Sequence, residues 1–212
     1  HYLLAKPGQF SIHPYWRLEF PSFQSPTSAA DESRAEEAVA ALHDLLVDAV
    51  RIRLRADVPV GAYLSGGLDS STIAAIIRQY TRNRLDTFSI AFTDEQFDER
   101  AFQRRMAHCL GTDHKVVEAT HADIGRVFPD VIWHAEVPVL RTAPAPMFLL
   151  SKLVRESGYK VVLTGEGADE FLAGYDIFKE AKIRRFWAAQ PDSALRPLLL
   201  RRLYPHTGRL SR

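Results

Sequence analysis

Two short stretches of this chain carry residue types suited to chemistry rather than packing. The first is Ser65-Gly66-Gly67-Leu68-Asp69-Ser70-Ser71, between an apolar run, Val58 to Leu64, and a helical pattern that starts near Ser71 and reaches about Tyr80. A helix start presents unpaired N–H groups and a partial positive charge, so a strand, a glycine turn and a helix in succession can capture phosphate. Gly66 and Gly67 permit positive φ and close backbone approach, and Ser65, Ser70 and Ser71 add hydroxyl donors. Asp69 repels a phosphate unless a Mg²⁺ ion bridges the two. The second stretch is Thr164-Gly165-Glu166-Gly167-Ala168-Asp169-Glu170, followed by Gly174-Tyr175, with three carboxylates inside five positions.

Neither stretch is a Walker loop, and Gly165-x-Gly167 has Glu170 where a dinucleotide fingerprint needs its third glycine. A plain glycine turn and a solvated acidic turn are the bland alternatives. What favours a site is shared position. Both stretches follow apolar strand-like runs, and ligands of parallel α/β sheets bind beyond the carboxyl ends of strands, where strand order reverses. There Asp69 and Asp169 could share one Mg²⁺, with Glu166 facing whatever reacts with the phosphate donor.

The elements that must position these residues follow from periodicity. Helical spacing runs from about 33 to 55, with Val39, Leu42, Leu46, Val50 and Leu54 on one stripe and Ser33 with Glu36 as a capping box. Strands are expected at 58–64, 87–92, 114–117 and 160–163. Helices are expected to Tyr80 and over 97–110, 124–133, 144–157 and 171–187, with Gly111 and Gly158 just past two of the ends. Alternating short apolar strands and helices spell an α/β fold, a doubly wound parallel sheet with helices on both faces. Residues 1–30 are rich in proline and serine and read as a connecting segment with one short strand. Phe10, Tyr15, Trp16, Phe20 and Phe23 suggest that it packs on something.

Composition narrows the function. A chain of 212 residues allows one domain with an appendage. A net charge of +1, from 27 basic and 26 acidic residues, argues against a dedicated nucleic-acid binder. The single cysteine, Cys109, cannot form an internal disulfide, which suits a reducing, cytoplasmic setting; it reads as a core thiol. No apolar run is long enough to span a bilayer, so no membrane partner is expected. The histidines His108, His114, His121 and His134 lack zinc-site spacing. Trp133 and Trp187 sit in apolar helical patterns and read as core. The basic residues Lys179, Lys182, Arg184, Arg185, Arg196, Arg201, Arg202, Arg209 and Arg212 read as a solvated or packing face in preference to a nucleic-acid patch.

The chain resembles the synthetase domain of glutamine-dependent asparagine synthetases. The resemblance rests on Val58 to Ser71, Thr87-Phe88-Ser89-Ile90, the Pro146-Met147 pair and the 164–175 stretch, and covers about residues 28 to 185. It implies an adenine nucleotide alpha-hydrolase-like (PP-loop) fold and ATP-dependent activation of the aspartate side-chain carboxylate as an acyl-adenylate. Ammonia, derived from glutamine, then attacks to give the amide and AMP. It further implies that Leu64, Ile90, Thr164 and Gly165 hold adenine and ribose, that Ser65, Gly66, Gly67, Leu68, Asp69, Ser70 and Ser71 hold pyrophosphate, and that Asp69 and Asp169 bind Mg²⁺. Glu166 supports adenylate formation and accepts a proton from ammonia. Residues 1–27 resemble the tail and linker of a glutaminase domain that begins with a nucleophilic cysteine, residues 28–185 the synthetase domain, and 186–212 a basic helical extension. The chain begins with His1, not Met, and the family's catalytic lysine lies beyond Arg212. The expectation is therefore a fragment that binds ATP weakly and makes no amide by itself. A tRNA-modifying pyrophosphatase using the same loop and a nucleotide-binding module without catalysis stay open, as do the acceptor acid and a homodimer.

Overall fold

The computed structural model describes residues 1–18, 31–80 and 84–204. It divides into two compact units, 1–42 and 43–212. In the first, β1 (Tyr2–Lys6) and β2 (Gln9–His13) form an antiparallel hairpin with Tyr2 opposite His13. The single strand expected before residue 30 is thus a pair, because Gly8 takes φ +74° and closes a tight turn. Contrary to expectation, Phe10, Tyr15 and Trp16 are exposed; Phe20 and Phe23 lie outside the described residues. The first long helix, α1 (Asp31–Arg53), begins two residues before Ser33, whose own side chain lies outside the described set.

The second unit holds β3 (Val60–Tyr63), α2 (Leu68–Tyr80), β4 (Asp86–Phe92), α3 (Arg100–Leu110), β5 (Asp113–Ala119), α4 (His121–Ala135), α5 (Pro144–Glu156), β6 (Val161–Leu163), α6 (Ala168–Leu172), α7 (Asp176–Ala188) and α8 (Leu198–Leu203). Its sheet has the order β5-β4-β3-β6 with every pairing parallel. From β3 the chain winds outward through β4 to β5, then returns to the opposite side of β3 to lay down β6. The switch point therefore falls between β3 and β6, whose following loops are the two stretches singled out above.

Side-chain alternation along β3 feeds two cores, one on each face. Ala62 and Leu64 pack with Val50, Ala74, Ile76, Ile77, Leu85 and Ala107. Tyr63 turns the other way, towards Phe88, Leu150 and Val154. Helices α2 and α3 cover the first face and α5 the second, which makes the sheet doubly wound. The stripe on α1 is buried only in its later half: Leu46, Val50 and Leu54 join the core, while Val39 and Leu42 are exposed.

Helix ends follow local rules. Gly111 ends α3 in the left-handed region at φ +62°. Thr120 and Asp123 cap α4 reciprocally, and the Thr120 hydroxyl and N–H hold the Asp123 carboxyl below its usual range. Three expectations are corrected. The helix expected over 171–187 is two, because Ala173 turns left-handed at φ +58° and Gly174 follows. Cys109 is exposed, since Gln103 and Ala107 occupy the inward face of α3. Trp133 is 81% exposed for the same reason, with Val131 taking the buried position on α4.

Candidate functional site

A cavity of about 310 Å³ opens at the carboxyl ends of β3, β4 and β6. Of the expected site residues, Leu64, Ser65, Gly67, Asp69, Ser70, Ile90, Thr164, Gly165, Glu166 and Asp169 line it. Gly66, Leu68 and Ser71 are not among the lining residues. Leu68 is 82% exposed, and Ser71 N–H donates to the Gly67 carbonyl at 3.1 Å as part of the helix start.

The loop after β3 is knitted by its own hydroxyls. Ser70 Oγ accepts from Ser65 N–H at 3.1 Å, pairs with Ser65 Oγ at 2.8 Å and donates to the Gly67 carbonyl at 3.3 Å. Ser65 Oγ also accepts from Gly67 N–H at 3.1 Å. Helix α2 starts at Leu68, earlier than its apolar pattern suggests, which places Asp69 and Ser70 in its first turn. Of the twin glycines only Gly66 uses the left-handed region, at φ +86°. A Cβ there would lie 2.7 Å from Phe102 Cβ and 2.8 Å from Gln103 N, so the loop rests directly on α3.

The loop after β6 meets the first one backbone to backbone. A Cβ on Gly165 would stand 2.7 Å from Ser70 N and 2.8 Å from the Asp69 carbonyl carbon. Only glycine allows that approach. Gly167 follows at φ +92° and opens α6 with Asp169 and Glu170 in its first turn. Gly174 closes over Asp169, donating its N–H to the Asp169 carbonyl at 3.0 Å, and a Cβ there would overlap the Asp169 carboxylate.

Charge in the cavity is one-sided. Asp69, Glu99, Glu166, Asp169 and Glu170 line it, with no Lys, Arg or His among the lining residues. Tyr175 Oη donates to Glu170 Oε1 at 3.3 Å. The Glu170 charge first of all, then burial, that hydrogen bond and the charges of Asp169 and Glu166, push the phenol above its ordinary range, so it stays a neutral donor. Among the described residues no group of three or more His, Cys, Asp or Glu side chains is placed to hold a metal ion.

The apolar end of the cavity was less visible in the sequence. Phe88, Ile90, Phe92, Phe97, Met147 and Leu150 line it. Asp98, between Phe97 and Glu99, is tied to Arg100. Its guanidinium donates to Asp98 at 2.9 and 3.0 Å, to Glu118 at 2.8 Å and to the Phe92 carbonyl at 3.2 Å, and its hydrogen bond holds the Asp98 carboxyl below the usual range. Gln103 also lines the cavity, on the inward face of α3 one turn before Ala107. A polar residue on an otherwise apolar helical stripe was the signal that could have found it.

A parallel sheet whose switch point holds a serine–glycine helix start against a glycine–carboxylate turn defines a doubly wound α/β domain with its crevice at that point. The chain belongs to the asparagine synthase family, whose model matches residues 41–212. It is 37% identical over 194 residues to "Amidase chyE" of Penicillium rubens, covering 84% of this chain and 28% of that protein. It is 30% identical over 181 residues to asparagine synthetase [glutamine-hydrolyzing] 1 of Bacillus subtilis, covering 85% and 28%. An NH3-dependent NAD synthetase from Campylobacter jejuni superposes with a TM-score of 0.45 at 18% identity, over 64% of this chain and 60% of the other. The chain spans about 28% of the length of the first two relatives.

Proposed function

We propose that this chain is the nucleotide-cleaving part of an ATP-dependent amide-forming ligase, and that it activates a carboxylate, with aspartate the leading candidate. The carrying observation is the cavity itself. Two loops meet at a switch point over five carboxylates and no basic side chain, beside an apolar recess. Helix-start N–H groups and serine hydroxyls suit a phosphate chain, and the unneutralised carboxylates call for the divalent cation that accompanies it.

In this reading Asp69 and Asp169 hold Mg²⁺, which supplies charge neutralisation on the phosphates. Residues 65–71 seat the β- and γ-phosphates with main-chain and hydroxyl donors. Leu64 and Ile90, with Thr164 and Gly165, border the base and ribose. The acceptor carboxylate forms a bond to the α-phosphorus as the bond to the β-phosphate oxygen breaks, and pyrophosphate leaves. Ammonia then bonds to the acyl carbon, AMP departs with the former carboxylate oxygen, and Glu166 takes the surplus proton. In the whole protein a glutaminase domain supplies ammonia from glutamine, and the domain boundaries follow the assignment 1–27, 28–185 and 186–212.

The basic residues near the end of the chain favour this over a tRNA-directed reading. Lys179 pairs with Asp176 at 2.7 Å, Arg184 pairs with Glu180, and Arg196 lies over the Phe186 ring at 4.0 Å; Arg209 and Arg212 lie outside the described residues. Among the described residues no helix is long and apolar enough to cross a membrane. The test is ATP–pyrophosphate exchange by the full natural chain, run with aspartate and with a panel of other carboxylic acids, with Mg²⁺ and with EDTA. Exchange that needs both Mg²⁺ and one acid of the panel is expected. Exchange with no acid present would refute the ligase reading, and a preference for another acid would move the acceptor away from aspartate, in line with the amidase name of one relative.

A further inference from the structure

One buried titratable group takes no part in the site described above. His114, half-buried on β5, stands opposite Thr87 in the parallel ladder with β4. Thr87 is fully buried, and its Oγ1 lies 3.0 Å from His114 Nδ1 and 2.8 Å from Thr112 Oγ1. The other ring nitrogen, Nε2, is buried and has no hydrogen-bond partner among the described residues. Burial first, then the charge of Arg104 on α3, hold the imidazole below its ordinary range, so the ring stays neutral at neutral pH.

This packing has no place for a second ring proton. An imidazolium donates from both nitrogens. Nδ1–H would have Thr87 Oγ1, but Nε2–H would have no acceptor and would carry its full desolvation cost. The new charge would also face Arg104. Neighbouring charges give no relief. Asp113 and Lys115 alternate to the opposite face of the sheet, where they pair with Arg84 and Asp86 and where Lys115 lies over the Phe88 ring. On α2, Arg78 donates to the Leu110 carbonyl at 3.0 Å, and His108 on the last turn of α3 is exposed. Among the described residues no carboxylate charge acts on the ring.

The helix that packs on this strand also meets the serine–glycine loop. At the end of α3, Thr112 N–H donates to the Ala107 carbonyl at 3.1 Å, so the threonine pair beside His114 is tied to the last helical turn. At its start, Phe102 Cβ and Gln103 N stand 2.7 and 2.8 Å from where a Cβ on Gly66 would be, and Gln103 Nε2 donates to the Ile90 carbonyl at 2.9 Å. Between these two attachments α3 is one unbroken helix of 11 residues. A rigid element with two arrangements carries a change at one end to the other.

We propose that His114 is a proton-operated catch on α3. Neutral, it lets α3 close on β5 and support residues 65–67; protonated, it parts α3 from β5 and loosens that loop. The sign follows from linkage: the unfolded chain takes up the proton more readily than the folded one. The stability contributed is fully present above the ordinary imidazole pKa of about 6.5 and is lost as pH falls below it. Only the pyrophosphate arm of the test below rests on the nucleotide reading.

The full natural chain, H114Q and H114N are compared between about pH 7.5 and pH 5.5, the range in which imidazole titrates. Exchange of the His114 ring C2 proton for deuterium, read by mass spectrometry, is expected to give a pKa below about 6.5. The chemical-denaturation midpoint is expected to fall more steeply with acid in the unaltered protein than in either variant. Its pyrophosphate Kd, by calorimetry, is expected to rise about threefold or more beyond the rise in the variants, which accounts for titration of the ligand and of the other histidines.

A ring pKa at or above about 6.5 would overturn the proposal without any variant. So would the same acid dependence of the midpoint in all three proteins. A difference in midpoint with none in pyrophosphate affinity would overturn the link to the loop, and the catch with it. If no form binds pyrophosphate at any pH, the nucleotide reading fails, and the ring pKa and the midpoints still decide whether His114 governs α3.

Discussion

The two loops at the switch point are built on opposite plans. Residues 65–71 hold themselves together: Ser65 and Ser70 satisfy each other and the Gly67 peptide, and a 13-residue helix stands behind them. Residues 164–170 hold little. Glu166 N–H to Thr164 Oγ1, at 3.4 Å, is a marginal hydrogen bond, and the helix that follows has five residues and ends at a left-handed alanine. The first loop is preformed by its own hydrogen bonds. The second carries negative charge on a weakly supported turn, so its geometry depends on its neighbours. On the proposed reading, preorganisation falls where N–H groups would meet phosphate, and adaptability where carboxylates would follow a metal.

The contact between the loops is where that contrast breaks most easily. Gly165→Ala sets a Cβ against the backbone of Asp69 and Ser70, which cannot move without unseating α2. We expect a loss of ~1–3 kcal/mol of stability by chemical denaturation. Nucleotide affinity is expected to fall on the order of a hundredfold, since misplacement by about 1 Å has that effect. A variant with full affinity would mean that the loops do not need each other.

A smaller effect is expected at Gly174. An added methyl would displace the Asp169 carboxylate and leave the first loop alone. Gly174→Ala should raise the Mg²⁺ requirement of ATP binding by roughly 10- to 100-fold, the cost of disturbing a metal ligand's support, while metal-free pyrophosphate affinity holds. Equal losses with and without Mg²⁺ would contradict the division of labour.

The smallest change tests the first loop. Ser70→Ala removes the acceptor for Ser65 N–H and the partner of Ser65 Oγ. About 1 kcal/mol, or roughly a fivefold loss of pyrophosphate affinity, is expected. No change would show that the hydroxyl network organises nothing.

Most of the site was legible because its signals are local. Strand, glycine and helix start follow one another within a dozen residues, and hydrophobic periodicity reports each element without knowledge of its neighbours. The failures are equally physical. The helix expected over 171–187 broke where Ala173 adopts an uncommon conformation, a choice made by the loop packing around Asp169 and Gly174. Cys109 and Trp133 fit apolar patterns, but which face of an amphipathic helix is inward depends on the partner it meets.

The chain's residues alone settled the succession of strands and helices, the phosphate-type turn and the cluster of carboxylates, because backbone propensity and turn chemistry act between near neighbours. The tertiary structure decided the strand order that sets β6 beside β3, the glycine contact that joins the two loops, and the burial of Gln103 beside Ile90. Each of these brings together residues far apart in sequence, and such pairings arise only when whole elements compete to bury their apolar faces.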